Sequence, residues 1–314
     1  MGKTAFIFPG QGAQYPGMGK DFFENSEAAR EVFRIASEVT GLDLEALCFT
    51  ENEKLDKTEY TQIAMITTEL AMWRAAREAG LQAGLCAGLS LGEYAALGAA
   101  EVMALPDIFR IVRMRGIYMQ NAYPSGGAMM AVLGLEGDSV EAVCLAVQEE
   151  TGRPVSVANY NCPGQLVITG AQDAVERAAE ACREKGAKRC IPLNVSGPFH
   201  SALLADAAEK LGKELEGVSL KEPQIPYLTN VTAEPVTKAD AVKALLAKQI
   251  CSPVRWQQSI ERMIADGADC FIEIGPGKTL AGFMKRISKE VKVYNIQTME
   301  DLETVMESDI IKGA

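Results

Sequence analysis

Residues 5–8 form an unbroken apolar run, Ala5-Phe6-Ile7-Phe8, that stops at Pro9-Gly10. Such a run predicts a strand buried on both faces, as in a parallel sheet. Apolar positions then recur at helical spacing over about 21–37 and 62–78. Leu85-Cys86-Ala87 is a second short apolar run, followed by a helical stretch over 93–100. Pro106 opens another helix that extends to about 121, and Pro124-Ser125-Gly126-Gly127 is loop chemistry that marks a boundary. Beyond it the rhythm changes to strand 129–133, helix 139–149, strands 155–158 and 166–169 about the turn Asn161-Cys162-Pro163-Gly164, helix 174–184 and strand 189–193. That β-α-β-β-α-β order predicts a ferredoxin-like unit over 127–195. The flanking segments, 1–126 and 196–314, are expected to form one discontinuous α/β domain. Its later part adds a strand at 225–228, helices near 238–248 and 255–265, and strands at 270–274 and 291–294. Strand-helix alternation predicts a mainly parallel sheet covered on both faces. The last residues, 308–314, are expected to fray.

Composition narrows the function. The chain has 314 residues, 48% hydrophobic and 23% charged, with a net charge of −11. That is the profile of a globular enzyme and argues against binding nucleic acid through overall charge. The eight cysteines include no C-x-x-C pair, and with a single histidine a metal site is not expected. No apolar stretch reaches membrane-spanning length, and the N-terminus enters a strand-like run without a signal peptide. A cytoplasmic protein with free thiols, not a membrane protein, is the expectation.

The chemistry concentrates at two places. Gly88-Leu89-Ser90-Leu91-Gly92 matches the nucleophile elbow, and its strand-turn-helix context would expose Ser90 at a strand's C-terminal edge. A serine hydroxyl needs a base, and imidazole is the side chain suited to that task near neutral pH. The only imidazole is His200. Each motif alone is weak, since Gly-x-Ser-x-Gly recurs by accident and a lone histidine is often structural.

Six segments taken together are more specific: Phe8-Pro9-Gly10-Gln11-Gly12-Ala13-Gln14, the elbow, Arg113-Met114-Arg115-Gly116, Asn159-Tyr160-Asn161-Cys162-Pro163-Gly164-Gln165, Gly197-Pro198-Phe199-His200-Ser201 and Glu273-Ile274-Gly275-Pro276-Gly277. In this order and spacing the chain resembles the malonyl-CoA:acyl carrier protein transacylases, from about residue 4 to 296, and the related acyltransferase domains of polyketide synthases. The resemblance implies a hydrolase-like large domain with a ferredoxin-like insertion. It implies Ser90 as nucleophile and His200 as base, with the backbone N–H groups of Leu91 and Gln11 as oxyanion donors. It places Arg115 against the malonyl carboxylate, with Asn159, Asn161, Gln249, Phe199 and Gln62 as substrate-site candidates. It also implies that a backbone carbonyl near Gln249, rather than an acid, orients the histidine. No metal or redox cofactor is implied. The substrate is malonyl-CoA, preferred over methylmalonyl-CoA given Leu91 and Phe199, the partner an acyl carrier protein, and the enzyme a monomer.

Two positions depart from the family pattern: Leu89 stands where histidine usually precedes the nucleophile, and Ile63 where proline usually follows the glutamine. Alternatives are an acyltransferase serving a polyketide synthase, a serine esterase, and a silent scaffold that binds carrier proteins. Carrier proteins are usually acidic, so docking on this acidic chain needs a local basic surface. Arg183-Glu184-Lys185-Gly186-Ala187-Lys188-Arg189 and Lys285-Arg286 with Lys289 are the candidates.

Overall fold

The computed structural model describes residues 2–195 and 197–308. Its larger sheet contains β1 (Lys3–Phe8), β2 (Leu85–Gly88), β7 (Tyr227–Leu228), β8 (Pro235–Val236), β9 (Ala268–Ile274) and β10 (Lys292–Ile296), in the order β10-β9-β1-β2-β7-β8. All neighbours are parallel except β7 and β8. Side chains alternate between two cores. Phe6, Phe8, Cys86, Ile272 and Ile274 face one apolar cluster, and Ala5, Ile7, Leu85, Ala87 and Phe271 face the other. Burial on both faces is why the central stretches Ala5–Phe8 and Leu85–Gly88 carry no polar residue.

The second sheet is antiparallel and contains β3 (Gly127–Leu133), β4 (Val155–Cys162), β5 (Gln165–Ala171) and β6 (Arg189–Pro192), in the order β4-β5-β3-β6. Numbered within this segment, the strands run second, third, first, fourth, with helices Gly137–Thr151 and Gln172–Glu184 between them. This is the ferredoxin-like arrangement. Met130, Val132, Val157 and Ile168 pack with the two helices, whereas Met129, Ala158 and Val167 point the other way and join the larger core. The period of a strand thus turns one face of the small sheet toward the large one. Two backbone bonds tie β4 to the segment that leads into the Trp256–Ala265 helix: Tyr160 N–H to Val254 O at 2.9 Å and Val254 N–H to Ala158 O at 2.8 Å.

Several expected elements differ in extent. The helix expected over 21–37 is two helices, Lys20–Asn25 and Glu27–Thr40, because Ser26 caps the second by accepting the Ala29 N–H. The strand expected at 225–228 is only Tyr227–Leu228, since Pro226 has no N–H for the ladder. Helices Leu44–Phe49, Ala205–Glu216, Thr279–Ile287 and Met299–Glu307 were not expected. The boundary placed at 196 and the tail at 309–314 lie outside the described residues. Among those described, no helix is long and apolar enough to cross a membrane.

Candidate active site

β1 and β2 lie side by side with Phe8 level with Gly88, so the Pro9–Gln11 turn and the elbow leave the sheet together. The elbow is sterically tight. A Cβ on Gly88 would stand 1.9 Å from the Gly92 carbonyl carbon, and one on Gly92 would stand 2.3 Å from the Phe8 oxygen. Glycine at both ends lets the chain reverse over four residues. Ser90 is thereby held at φ 52°, a region that non-glycine residues seldom occupy. A short 3₁₀ turn, Ser90–Gly92, runs directly into the buried helix Glu93–Ala99.

His200 arrives from the loop after β6 and is also held at positive φ, 60°. Its turn is braced by Ser201, whose hydroxyl donates to Pro198 O at 2.7 Å. The imidazole Nε2 lies 2.7 Å from Ser90 Oγ, and Nδ1 lies 3.0 Å from the Gln249 carbonyl oxygen. If Nδ1 carries the proton and donates to that carbonyl, Nε2 is left free to accept from serine. Burial first, and the Arg115 charge second, pull the imidazole down to about 4, against backbone hydrogen bonds from the Gln249 and Ser252 segment. The ring is therefore neutral near pH 7, the state a base requires.

Arg115 leaves the Leu105–Ala122 helix inward and is only 1% exposed. Its companions on that helix reach carboxylates instead, Arg110 to Glu214 at 3.2 Å and the half-buried Arg113 to Glu59 at 3.0 Å. The Arg115 guanidinium donates to Gln62 Oε1 at 2.8 Å, to Gln249 Oε1 at 3.0 Å and to Ser90 Oγ at 3.3 Å. All three acceptors are neutral. Burial lowers its proton affinity, opposed by Tyr94 and Glu93.

These groups open on a cavity of about 210 Å³. Gln11, Leu91, Asn159, Asn161, Phe199 and Gln62 all line it, so every predicted site residue except Gln249 reaches the cavity wall. Gln249 sits behind the wall, fully buried. Asn159 and Asn161 share a face of β4, two residues apart, on the side that Met129 and Val167 also line. Leu89 lines the cavity with carbon where a polar ring was usual. The Gln11 side chain is tied away from the serine, its amide donating to Thr58 Oγ1 at 3.1 Å.

Two residues in this network escaped the sequence reading. Asn230 accepts the Ser90 N–H at 2.6 Å and donates to Gly88 O at 2.7 Å, so it clamps the elbow. Glu93 accepts from the Asn230 N–H at 3.1 Å and the Gln249 side-chain amide at 2.6 Å. Burial pushes the Glu93 carboxyl up to about 7, against those hydrogen bonds and Arg115. Asn230 follows a two-residue strand with no motif around it, and Glu93 reads simply as a first-turn acid. Among the described residues no group of three or more His, Cys, Asp or Glu could hold a metal ion.

A serine bonded to a neutral imidazole, on a strand-turn-helix elbow and beside a buried cation, defines a serine-nucleophile acyl-transfer site. Residues 5–305 match the acyl transferase domain family, and the chain belongs to that family. It is 43% identical over 310 residues to the malonyl CoA-acyl carrier protein transacylase of Bacillus subtilis strain 168, covering 98% of each chain. Its structure resembles that of an acyl carrier protein S-malonyltransferase from Vibrio cholerae, with TM-score 0.94, 42% identity and coverage of 96% and 99%. It also resembles a malonyl-transacylase solved in complex with a type II polyketide synthase acyl-carrier protein, with TM-score 0.93, 40% identity and coverage of 97% and 99%.

Proposed function

We propose that this chain transfers a malonyl group from malonyl-CoA to the phosphopantetheine thiol of an acyl carrier protein, through an ester on Ser90, to supply fatty acid synthesis. The observation that carries the reading is the Ser90–His200 pair, 2.7 Å apart, next to a buried guanidinium with only neutral hydrogen-bond acceptors. In the first half-reaction Ser90 Oγ attacks the thioester carbon while His200 Nε2 takes its proton. The tetrahedral oxyanion is held by the Leu91 and Gln11 backbone N–H groups. The C–S bond then breaks, His200 returns the proton to the coenzyme A sulfur, and the acyl ester remains. In the second half-reaction His200 takes the proton of the carrier's thiol, the thiolate attacks the ester, and Ser90 recovers its proton. The imidazolium formed in each step is supported by the Gln249 carbonyl, a neutral acceptor in place of the usual acid.

Arg115 would bind the malonyl carboxylate by its planar fork. Its Nη2 already touches Ser90 Oγ. A carboxylate held there lies one short acyl chain from the nucleophile, which matches the single methylene between malonyl's thioester carbonyl and its carboxylate. Leu91 and Phe199 narrow the cavity and favour malonyl over methylmalonyl. These steps are closed by the chain's side chains and two substrates, without a metal or redox cofactor. We place the enzyme in the cytoplasm as a monomer. Service to a polyketide synthase is the second reading, favoured by the similarity to a transacylase solved with such a synthase's carrier protein.

The test is mass spectrometry after brief exposure to malonyl-CoA, with peptide mapping. A malonyl ester on Ser90, absent in Ser90→Ala, is expected. An adduct on Cys86 or another thiol overturns the assignment.

A further inference from the structure

We propose that Glu93 is a positioning residue for the transfer, the acid of a displaced triad that acts on His200 and Ser90 through Gln249 and Asn230. The proposal rests on the reading of Ser90 and His200 given above. Serine hydrolases place a carboxylate directly on the histidine. Here the histidine meets the backbone carbonyl of Gln249 instead, at 3.0 Å. The carboxylate is one residue further back: Glu93 accepts from the side-chain amide of that same glutamine.

The geometry around Gln249 is specific. Its amide nitrogen donates to Glu93 Oε2 at 2.6 Å and to the Ser90 carbonyl at 2.9 Å. Its amide oxygen accepts from Arg115 at 3.0 Å. An amide has two orientations of nearly equal shape. At pH 8, above the raised pKa of about 7, Glu93 is an anion on one side and Arg115 a cation on the other, and together they select one orientation, with the dipole aligned to both. Charge-assisted hydrogen bonds are stronger than neutral ones, and more so when buried. Gln249 and Glu93 are both fully buried. Fixing the Gln249 side chain also fixes its own carbonyl, the acceptor that sets the His200 tautomer.

The same carboxylate oxygen reaches the nucleophile by a second route. It accepts the Asn230 N–H at 3.1 Å, and Asn230 in turn holds the Ser90 N–H and the Gly88 carbonyl. The strained Ser90 backbone is thus gripped at its N–H by Asn230 and at its C=O by Gln249, and both grips end on Glu93. Glu93 does not touch the reacting atoms. Its contribution is to hold the nucleophile, the base's acceptor and the cation in one register.

The experiment compares Glu93→Gln with the parent enzyme. Glutamine keeps the volume and one acceptor oxygen but removes the charge. With malonyl-CoA, kcat is expected to fall about 10- to 100-fold, the range a small misplacement of reacting groups produces, with KM changed by less than about threefold. Acetyl-CoA should lose the same factor, because the effect reaches both substrates through the serine and histidine. The melting temperature at pH 8 should not fall, since a buried charge has been removed. On a Gln249→Ala background the same substitution should cost less than about threefold, because the connection is already cut. Parental kcat in Glu93→Gln, or its full loss repeated on the Gln249→Ala background, overturns the proposal. If Glu93→Gln does not fold, Glu93→Asp keeps the charge and withdraws it by one methylene; it too should lose kcat, and parental kcat there overturns the proposal. Peptide mapping separates this failure from that of the underlying reading. An ester on Ser90 formed at the parental rate sinks only the role of Glu93, whereas an ester elsewhere sinks the site.

Discussion

Replacing Arg115 by alanine separates anion recognition from acyl transfer. The guanidinium is 1% exposed, and its hydrogen-bond acceptors Gln62, Gln249 and Ser90 are all neutral. In the proposed reading it would meet a malonyl carboxylate as a buried cation without a hydrogen-bonded counter-anion. A charge-assisted pair of this kind contributes about 2–3 kcal/mol. The carboxylate must displace neutral acceptors that already fill part of the fork, which sets the net gain near the lower figure. About 2 kcal/mol corresponds to a factor of about 30 in kcat/KM. Alanine also removes the contacts to Ser90 and Gln249, and that loss falls on every acyl donor. The ratio of kcat/KM for malonyl-CoA to that for acetyl-CoA cancels the shared part. Measured by transfer to a carrier protein, this ratio should drop about 30-fold in Arg115→Ala. Arg115→Lys keeps the charge without the fork and should fall between the two. An unchanged ratio, with both substrates losing equally, would refute carboxylate recognition and leave Arg115 a structural partner of Gln62 and Gln249.

Two further outcomes test the electrostatics. Glu69 is fully buried, with neither carboxylate oxygen hydrogen-bonded among the described residues, and burial, then the Glu273 charge, raise its proton affinity well above the ordinary 4.5. The folded state thus binds this proton more tightly than the unfolded chain; the stabilisation is full below about pH 4.5 and is lost as pH rises toward the folded pKa, at about 1.4 kcal/mol per unit for each such group. Glu69→Gln should melt progressively higher than the parent from pH 5 to pH 8, and a melting difference independent of pH would sink the argument. The carrier surface is the other case. Arg286 donates to Gln165 Oε1 at 2.9 Å and Pro163 O at 2.7 Å, so it ties the Thr279–Ile287 helix to the β4–β5 turn and is not a free docking charge. Charge reversal at Lys188, Arg189 and Lys285, all exposed, should raise the carrier KM and leave Ser90 acylation little changed; an unchanged carrier KM excludes them.

The parts of the fold that were legible in the sequence are those where a single period decides the structure. Ala5–Phe8 reads as a strand buried on both faces, and the two middle strands of the small unit were set apart by turn chemistry at Pro163-Gly164, although the first of them runs on to Cys162 where the turn was expected to begin at Asn161. What the pattern could not resolve was local competition. Ser26 splits one amphipathic run because its hydroxyl satisfies a helix N–H, an effect invisible to hydrophobic spacing. The site divided in the same way. Ser90 and His200 stood out because the elbow motif and the histidine each occur once in the chain, and the structure brings the two side chains to 2.7 Å. Arg115 stood out only through its family position, since three arginines share its helix and only packing turns one of them inward.

Asn230 and Glu93 lie beyond that limit for a physical reason. Their roles depend on backbone groups of other segments, Gly88 O, the Ser90 N–H and the Asn230 N–H, and backbone groups leave no mark on the sequence. The strain at Ser90 makes such partners necessary. A residue at positive φ is favoured only where its surroundings over-determine it. Here the N–H and C=O on either side of the nucleophile are each taken by a buried side-chain amide, and each amide residue is in turn bonded to one buried carboxylate. The elbow motif specifies where the chain can turn, and the residues that keep it turned come from 140 to 159 positions further along the chain.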